Sequence, residues 1–196
     1  MKQDDLLVDY CSYKAANYAV MNWHYSKKMP KSKLVKFGVW WNGEFFGSVI
    51  YGRGANKNIG SPYGLEMTEC SELVRVAIKD GHDFMISKVV STSVKMLKTA
   101  NRGLRLLVSY ADTEQQHIGT IYQAMNWIYT GAINPPSLVN INGVYVHTKT
   151  ASGYGSTSGK QTKQGSVKHK YLYPLDKNMR RQILPLSQPY PKRADN

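Results

Sequence analysis

Residues 73–112 read LVRVAIKDGHDFMISKVVSTSVKMLKTANRGLRLLVSYAD, and this stretch decides the architecture. Residues 73–78 are apolar except for Arg75 and read as a buried strand. Ile86, Val89, Val90, Ser93, Val94 and Leu97 follow at intervals that place them on one face of a helix. Residues 104–111 are then nearly all apolar, the pattern of a short strand buried on both faces in a parallel pair. Strand, helix and strand in that order give two parallel neighbours joined by a crossover.

Upstream, residues 34–41 and 44–51 flank Asn42-Gly43, a strong signal for a two-residue hairpin turn. Ala16, Ala19, Val20 and Trp23 recur at helical spacing, so a first helix ends near residues 22–26. Residues 52–64, rich in glycine, read as loop. Downstream, Ile118, Ile121, Tyr122, Met125 and Ile128 suggest a third helix, followed by a turn or strand ending at Gly131. Residues 144–150 after Asn142-Gly143 and residues 168–175 read as strands, with a Ser, Gly and Lys-rich segment at 153–165 between them. The expected order is α, β-hairpin, β, α, β, α, β, β. It describes an α/β fold with a mixed sheet: an N-terminal helix, an antiparallel hairpin and a parallel βαβα unit. Residues 1–175 form the expected catalytic domain and 176–196 a basic C-terminal tail.

A chain of 196 residues with 42% hydrophobic and 11% aromatic content is a folded globule of one domain. Cys11 and Cys70 show no paired spacing, which leaves neither a disulfide framework nor a zinc cluster. The first nine residues are acidic without an apolar core, unlike a signal peptide, and no apolar run nears the roughly 18 residues that span a bilayer. A reducing cytoplasm is the expected compartment, with no membrane partner. The net charge of +13 is concentrated: residues 155–196 hold nine Lys or Arg against two Asp. Clustered cations release counterions from a phosphate backbone, so nucleic acid is the expected partner. A solvated basic tail or a membrane-surface patch is the alternative, and the segment lacks the amphipathic stripe of a membrane binder. Lys27, Lys28, Arg53, Lys168, Lys170, Arg180 and Arg181 are the candidate phosphate contacts.

Several residues carry possible chemistry. Two-residue periodicity puts Arg75 on the strand face opposite Val74 and Val76, where it either snorkels to solvent or clamps a phosphate or carboxylate. Ser87 is either a helix cap or a phosphate donor at a helix start. Asp112 ends its strand, where ligands of open α/β sheets bind, or else it caps a turn. Tyr122 shares an apolar stripe and reads as core or as a working phenol. His24 and Tyr25 lie in an aromatic run suited to stacking on a flipped base, or are structural.

Taken in order, these runs resemble a known family. Asn22-Trp23-His24-Tyr25-Ser26, Phe37-Gly38-Val39-Trp40, Tyr51-Gly52-Arg53-Gly54-Ala55-Asn56, Glu72-Leu73-Val74-Arg75-Val76, Leu107-Val108-Ser109-Tyr110-Ala111-Asp112 and the run from His117 to Trp127 look like signature runs of the phage Mom DNA-modification proteins. The resemblance covers residues 15–175. It implies a fold similar to the GNAT acyltransferases and the conversion of adenine in phage DNA to N6-carbamoylmethyladenine, which shields the genome from host restriction, so that double-stranded DNA is the expected partner and tRNA a second. It implies that Arg75 and Ser87 contact the cofactor and that His24, Tyr25, Asp112 and Tyr122 serve the reaction, with Asp112 or His24 as base and Tyr122 as acid. It also raises a bound iron, for which His24, Asp112 and Tyr25 are the local ligands.

One departure bears on the group donor. Acyl-CoA-binding GNAT proteins carry a Gln/Arg-x-x-Gly-x-Gly/Ala loop, and Asp80-Gly81-His82-Asp83-Phe84-Met85 does not follow it. Two carboxylates beside a pyrophosphate repel it, which favours glycyl-tRNA over acetyl-CoA as donor. The rival readings are a nucleic-acid-binding protein without catalysis, and a GNAT acyltransferase acting on protein or small amines.

Overall fold

A computed structural model describes residues 5–53, 58–151, 153 and 158–193. The chain begins with β1 (Leu6–Tyr10) and α1 (Tyr13–Trp23), then the hairpin β2 (Leu34–Trp41) and β3 (Glu44–Gly52). The strand–helix–strand unit follows as β4 (Cys70–Ile78), α2 (Ile86–Ala100) and β5 (Leu106–Asp112). Next come α3 (Thr120–Ala124), β6 (Ile128–Ile133), β7 (Ser137–Ile141), β8 (Val144–His147), α4 (Thr148–Ala151), β9 (Thr162–Gln164), β10 (Lys168–Pro174) and α5 (Lys177–Ile183). Seven strands form one sheet in the order β1-β2-β3-β4-β5-β10-β6, and β8-β7-β9 form a second, smaller one. The expected loops at 52–64 and 153–165, and Gly54-Ala55-Asn56 of the quoted run, lie partly or wholly outside the described residues.

Local chemistry explains the elements the sequence announces. Ser12 caps α1 by accepting from the Ala15 amide at 3.1 Å, and Ala16, Ala19 and Val20 bury one helix face. Asn42 and Gly43 both take positive φ, 51° and 80°, as a tight hairpin turn requires. Val89, Val90, Val94 and Leu97 of α2 pack on Leu73, Leu107 and Ala111, and Ser93 is satisfied by Tyr51 at 2.8 Å. The other face of the sheet is covered by α1 over Ile50, Val74 and Ala77, and by α5 over Leu106, Val108 and Leu172.

Strand β7, and β9 within the segment read as a Ser, Gly and Lys-rich loop, were not expected, and the structure differs from the sequence reading in four further places. β1 was not expected; it pairs with β2 from Leu6↔Trp41 to Tyr10↔Phe37 as an edge strand with Leu7 and Tyr10 left exposed. The third helix is a single short element, because Asn126 takes φ 55° and Trp127 turns fully into the core, so that Ile128 opens β6. The strand expected at 144–150 stops at His147 and gives way to α4. Residues 176–193 fold back onto the sheet: Asp176 caps α5 at the Met179 amide (2.8 Å) and pairs with Arg105 (2.9 Å), while Met179 and Ile183 are fully buried. Two such side chains bring about 3–6 kcal/mol of burial energy together. No helix among the described residues is long and apolar enough to cross a membrane.

Candidate functional site

β4 and β5 run side by side only over Cys70↔Leu106, Ser71↔Leu107 and Glu72↔Val108, and past that rung they part. A cleft of about 380 Å³ opens in the gap. Its walls are residues 73–76 of β4, Tyr110 and Ala111 of β5, the end of α1 and the turn leading into α3. Nearby in β4 there is a bulge: Ile50 pairs with Arg75, but Tyr51 pairs with Leu73. A bulge adds one residue and reverses the alternation beyond it. Val74 therefore packs with α1 and Val76 with α2, so Arg75 does not lie opposite both, as strict two-residue periodicity suggested. Its guanidinium instead reaches the Lys28 carbonyl (3.4 Å) and its neighbour Val74 O (2.6 Å). Burial weakens its hold on the proton, while Tyr25 and Glu72 favour the charge.

His24, Tyr25, Arg75 and Tyr122, four of the six residues expected at the site, share this cleft. His24 closes α1 and is buried; Tyr25 stacks on it at 4.4 Å and meets His117 edge-on at 5.6 Å. The Ser26 amide donates to His24 Nδ1 at 3.1 Å, and Ser26 Oγ lies 2.9 Å from the same atom. An Nδ1 that accepts carries a lone pair, so the neutral ring keeps its proton on Nε2. Burial, helped by Arg75, His117 and Lys27, lowers the His24 pKa to about 4. At neutral pH His24 is thus an uncharged N–H donor, not a ready base.

Tyr122 stands on α3, whose start is set by Gly119. That glycine takes φ 77° and packs so closely against the Tyr171 ring that a Cβ would collide with it. Ser109 Oγ lies 2.9 Å from Leu73 O and 2.8 Å from the Tyr122 hydroxyl. A serine has one proton and the carbonyl can only accept. When the phenol releases its proton, Ser109 can turn to the phenolate. Burial pushes the phenol up to about 12, with Ser109 pulling the other way.

Asp112 and Ser87 are not brought to the cleft lining. Asp112 accepts from the Glu114 amide (3.1 Å), capping the turn that follows β5, and faces Lys168 at 3.7 Å. Ser87 is on the first turn of α2. Among the described residues no three His, Cys, Asp or Glu side chains converge as a metal site. His24 Nδ1 is engaged by Ser26, and an Asp112 oxygen is held by the turn, so these donors do not fit the expected iron.

The candidate phosphate contacts are dispersed. Lys27 and Lys28 follow the cleft wall of α1, whereas Arg53 lines a separate hollow with Lys33. Lys168 sits against Asp112 and Lys170 lies over the Tyr63 ring at 5.2 Å. Arg180 and Arg181 are exposed on α5. Two residues escaped the sequence reading: one lines the cleft, and the other, Glu72, adjoins Leu73 of its wall without lining it. Arg193 lines the cleft, brought there by hydrogen bonds from Tyr190 to Trp127 O (2.8 Å) and from Gln123 to Pro191 O (3.3 Å). Glu72, on the last paired rung of β4, is raised by burial to about 7 against the pull of Arg75 and Lys168. A single carboxylate preceding an apolar strand was the available signal.

A sequence model of the Mom protein family matches residues 5–192. The methylcarbamoylase Mom of Escherichia phage Mu is 26% identical over 207 residues, covering 96% of this chain and 84% of that protein. Among solved structures, Arabidopsis thaliana NAA60 with a bisubstrate analogue superposes with a TM-score of 0.56 at 10% identity, over 87% of this chain and 99% of that one. A Bacillus subtilis acetyltransferase in complex with CoA gives 0.53 at 10% identity, over 89% and 100%. The fold is therefore that of the GNAT acetyltransferases.

Proposed function

Since the chain belongs to the Mom protein family, we propose that it modifies DNA by converting adenine to N6-carbamoylmethyladenine, a mark that shields a phage genome from host restriction. The observation that carries this reading is the cleft where β4 and β5 part, which gathers His24, Tyr25, Arg75 and Tyr122. A purine extruded from the duplex would stack on the aromatic wall of Trp23 and Tyr25. His24, held neutral with its proton on Nε2, would donate to the oxygen of the attacked carbonyl as charge develops there. Glu72 has a proton affinity near neutrality, suited to taking a proton from the exocyclic amine through a water. Tyr122, backed by Ser109, would return a proton to a strongly basic leaving group.

For the donor we favour glycyl-tRNA over acetyl-CoA. Asp80 and Asp83 are exposed on the approach to α2 and disfavour a pyrophosphate there; the CoA of the Bacillus subtilis neighbour belongs to that protein and supports the alternative. The carbamoylmethyl group is an isomer of glycyl. Attack by N6 on the glycyl ester breaks the ester C–O bond, and the ribose oxygen takes a proton. The new amide's free amine then attacks purine C6 and loses a proton, while the C6–N6 bond breaks and N6 gains one as the terminal amide. No oxidant or second nitrogen source is needed. Mass spectrometry of nucleosides from DNA of cells expressing the chain tests the reading: the modified adenosine should appear with the wild type. Glycine labelled with heavy nitrogen should place its label on the nitrogen bonded to C6. Unmodified DNA removes the function, and label in the terminal amide alone removes the donor scheme.

A further inference from the structure

The β8-β7-β9 sheet lies outside the layers that form the cleft. It is one insertion between β6 and β10, with a core of its own in Val139, Ile141 and Ala151. Its roots are placed by register: Lys168 of β10 pairs with Asp112 on one side and with Ile133, the last residue of β6, on the other. The insertion therefore leaves and rejoins the main sheet at the rung where β5 ends, two residues beyond Tyr110 in the cleft wall. It is anchored on the strand ends beside the cleft.

Its charge is one-sided. Between Glu114 and Asp176 the chain has no carboxylate side chain over 61 residues, and the arm within that stretch, residues 134–167, carries Lys149, Lys160 and Lys163. Thirteen carboxylates spread evenly over 196 residues would place about four in such a stretch. A surface kept soluble by charge mixes both signs, so this bias needs another cause. The arm also holds one of these cations, Lys163, in place. The Lys163 ammonium lies over the Tyr145 ring at 4.5 Å, across β7 from its own strand β9, and Asn140 fixes the β7–β8 turn by accepting from the Gly143 amide at 2.8 Å.

We propose that this three-stranded arm, with Lys160 and Lys163, grips the phosphate backbone of double-stranded DNA beside the nucleotide that enters the cleft. The assignment rests on the reading that DNA is the substrate. Such contacts position the duplex without reading its sequence.

The test is fluorescence anisotropy of the full chain with a defined duplex across a salt series. It compares the wild type, Lys160→Ala/Lys163→Ala, the conservative Lys163→Arg, and Lys14→Ala/Lys95→Ala as a charge-matched control on exposed helix positions. Losing two phosphate contacts lowers the slope of log affinity against log salt by about 1.8 and weakens binding roughly tenfold or more. Lys163→Arg keeps both charge and ring contact and should bind as the wild type does. Melting curves check folding, and if Lys163→Ala loosens the arm, Lys160→Ala alone is read, with a slope change of about 0.9. An unchanged slope in the arm variants while the wild type binds DNA overturns the arm and leaves the function standing. Loss of tRNA binding with duplex binding intact overturns it as well. A wild type that binds no duplex overturns the DNA reading itself, and the arm with it.

Discussion

Glu72→Gln separates the charge of this side chain from its shape. Burial raises the carboxyl from 4.5 to about 7, so the folded protein favours the protonated acid, which glutamine imitates. The sign follows by linkage. With a folded pKa above the unfolded one, the stabilising contribution is complete below 4.5 and is lost as pH rises through 7. At about 1.4 kcal/mol per unit the full effect is roughly 3 kcal/mol. Glu72 retains some contact with solvent, which reduces the useful figure to about 1–2 kcal/mol. In a domain of this size that is a shift of about 3–6 °C in Tm. Circular dichroism melts of wild type and variant from pH 4.5 to 8.5 should coincide at the acid end and diverge at the alkaline end, with the variant more stable. If the nearby Arg75 and Lys168 outweigh burial, the variant will be the less stable one at pH 8.5, and the reasoning fails. A gap that does not vary with pH fails it equally. In the active protein, the same change should abolish an acid limb of kcat/KM centred near pH 7.

Tyr122→Phe removes only the hydroxyl beside Ser109 and should slow turnover by about 10²-fold with Tm within a few degrees; normal turnover would make Tyr122 a packing residue. His24→Gln removes a group whose pKa falls from 6.5 to about 4, so the wild type's loss of stability as pH drops through that window should shrink in the variant, as pH-dependent melting will report. Met179→Ala should cost about 2–5 kcal/mol of stability in chemical denaturation, whereas Arg180→Ala/Arg181→Ala should leave stability nearly unchanged. Truncation at residue 176 is accordingly predicted to unfold the chain, not to trim a tail.

The fold was legible wherever local pattern and tertiary environment agreed. The apolar runs at 73–78 and 104–111, the stripe of α2 and the Asn42-Gly43 turn all became the elements they suggested. β1 was hidden because an edge strand needs only one partner, and residues 6–10 mix Asp9 with exposed Leu7 and Tyr10. The third helix was overread because Ile118, Ile121 and Ile128 satisfy helical spacing while belonging to a loop, a helix and a strand. α5 was missed because its buried face consists of two residues, Met179 and Ile183, set among basic ones that drew attention to charge.

Four of the six candidate residues meet in one cleft, but the geometry that brings them there was not legible, and the reason lies in two long-range events. The β4 bulge is created by pairing with β3, so no pattern within residues 70–78 could show that Val74 and Val76 face different layers or that Arg75 turns toward the end of α1. The return of the C-terminal segment is likewise created by contacts with β6 and α3, through Tyr129, Trp127 and Gln123, and it delivers Arg193 to the same cleft. The outcome is electrostatically consistent. Two arginines line a cavity whose buried histidine is uncharged; Asp112 is held by its capping bond and Lys168 though its charge still reaches Tyr25, and Glu72 adjoins the wall beside Leu73. Two arginines in the cleft favour a ligand carrying negative charge, as a nucleotide held between two phosphates does. Those two arginines bear on the proposed DNA substrate more directly than the total of +13 does, because they describe charge at the cleft and not over the surface.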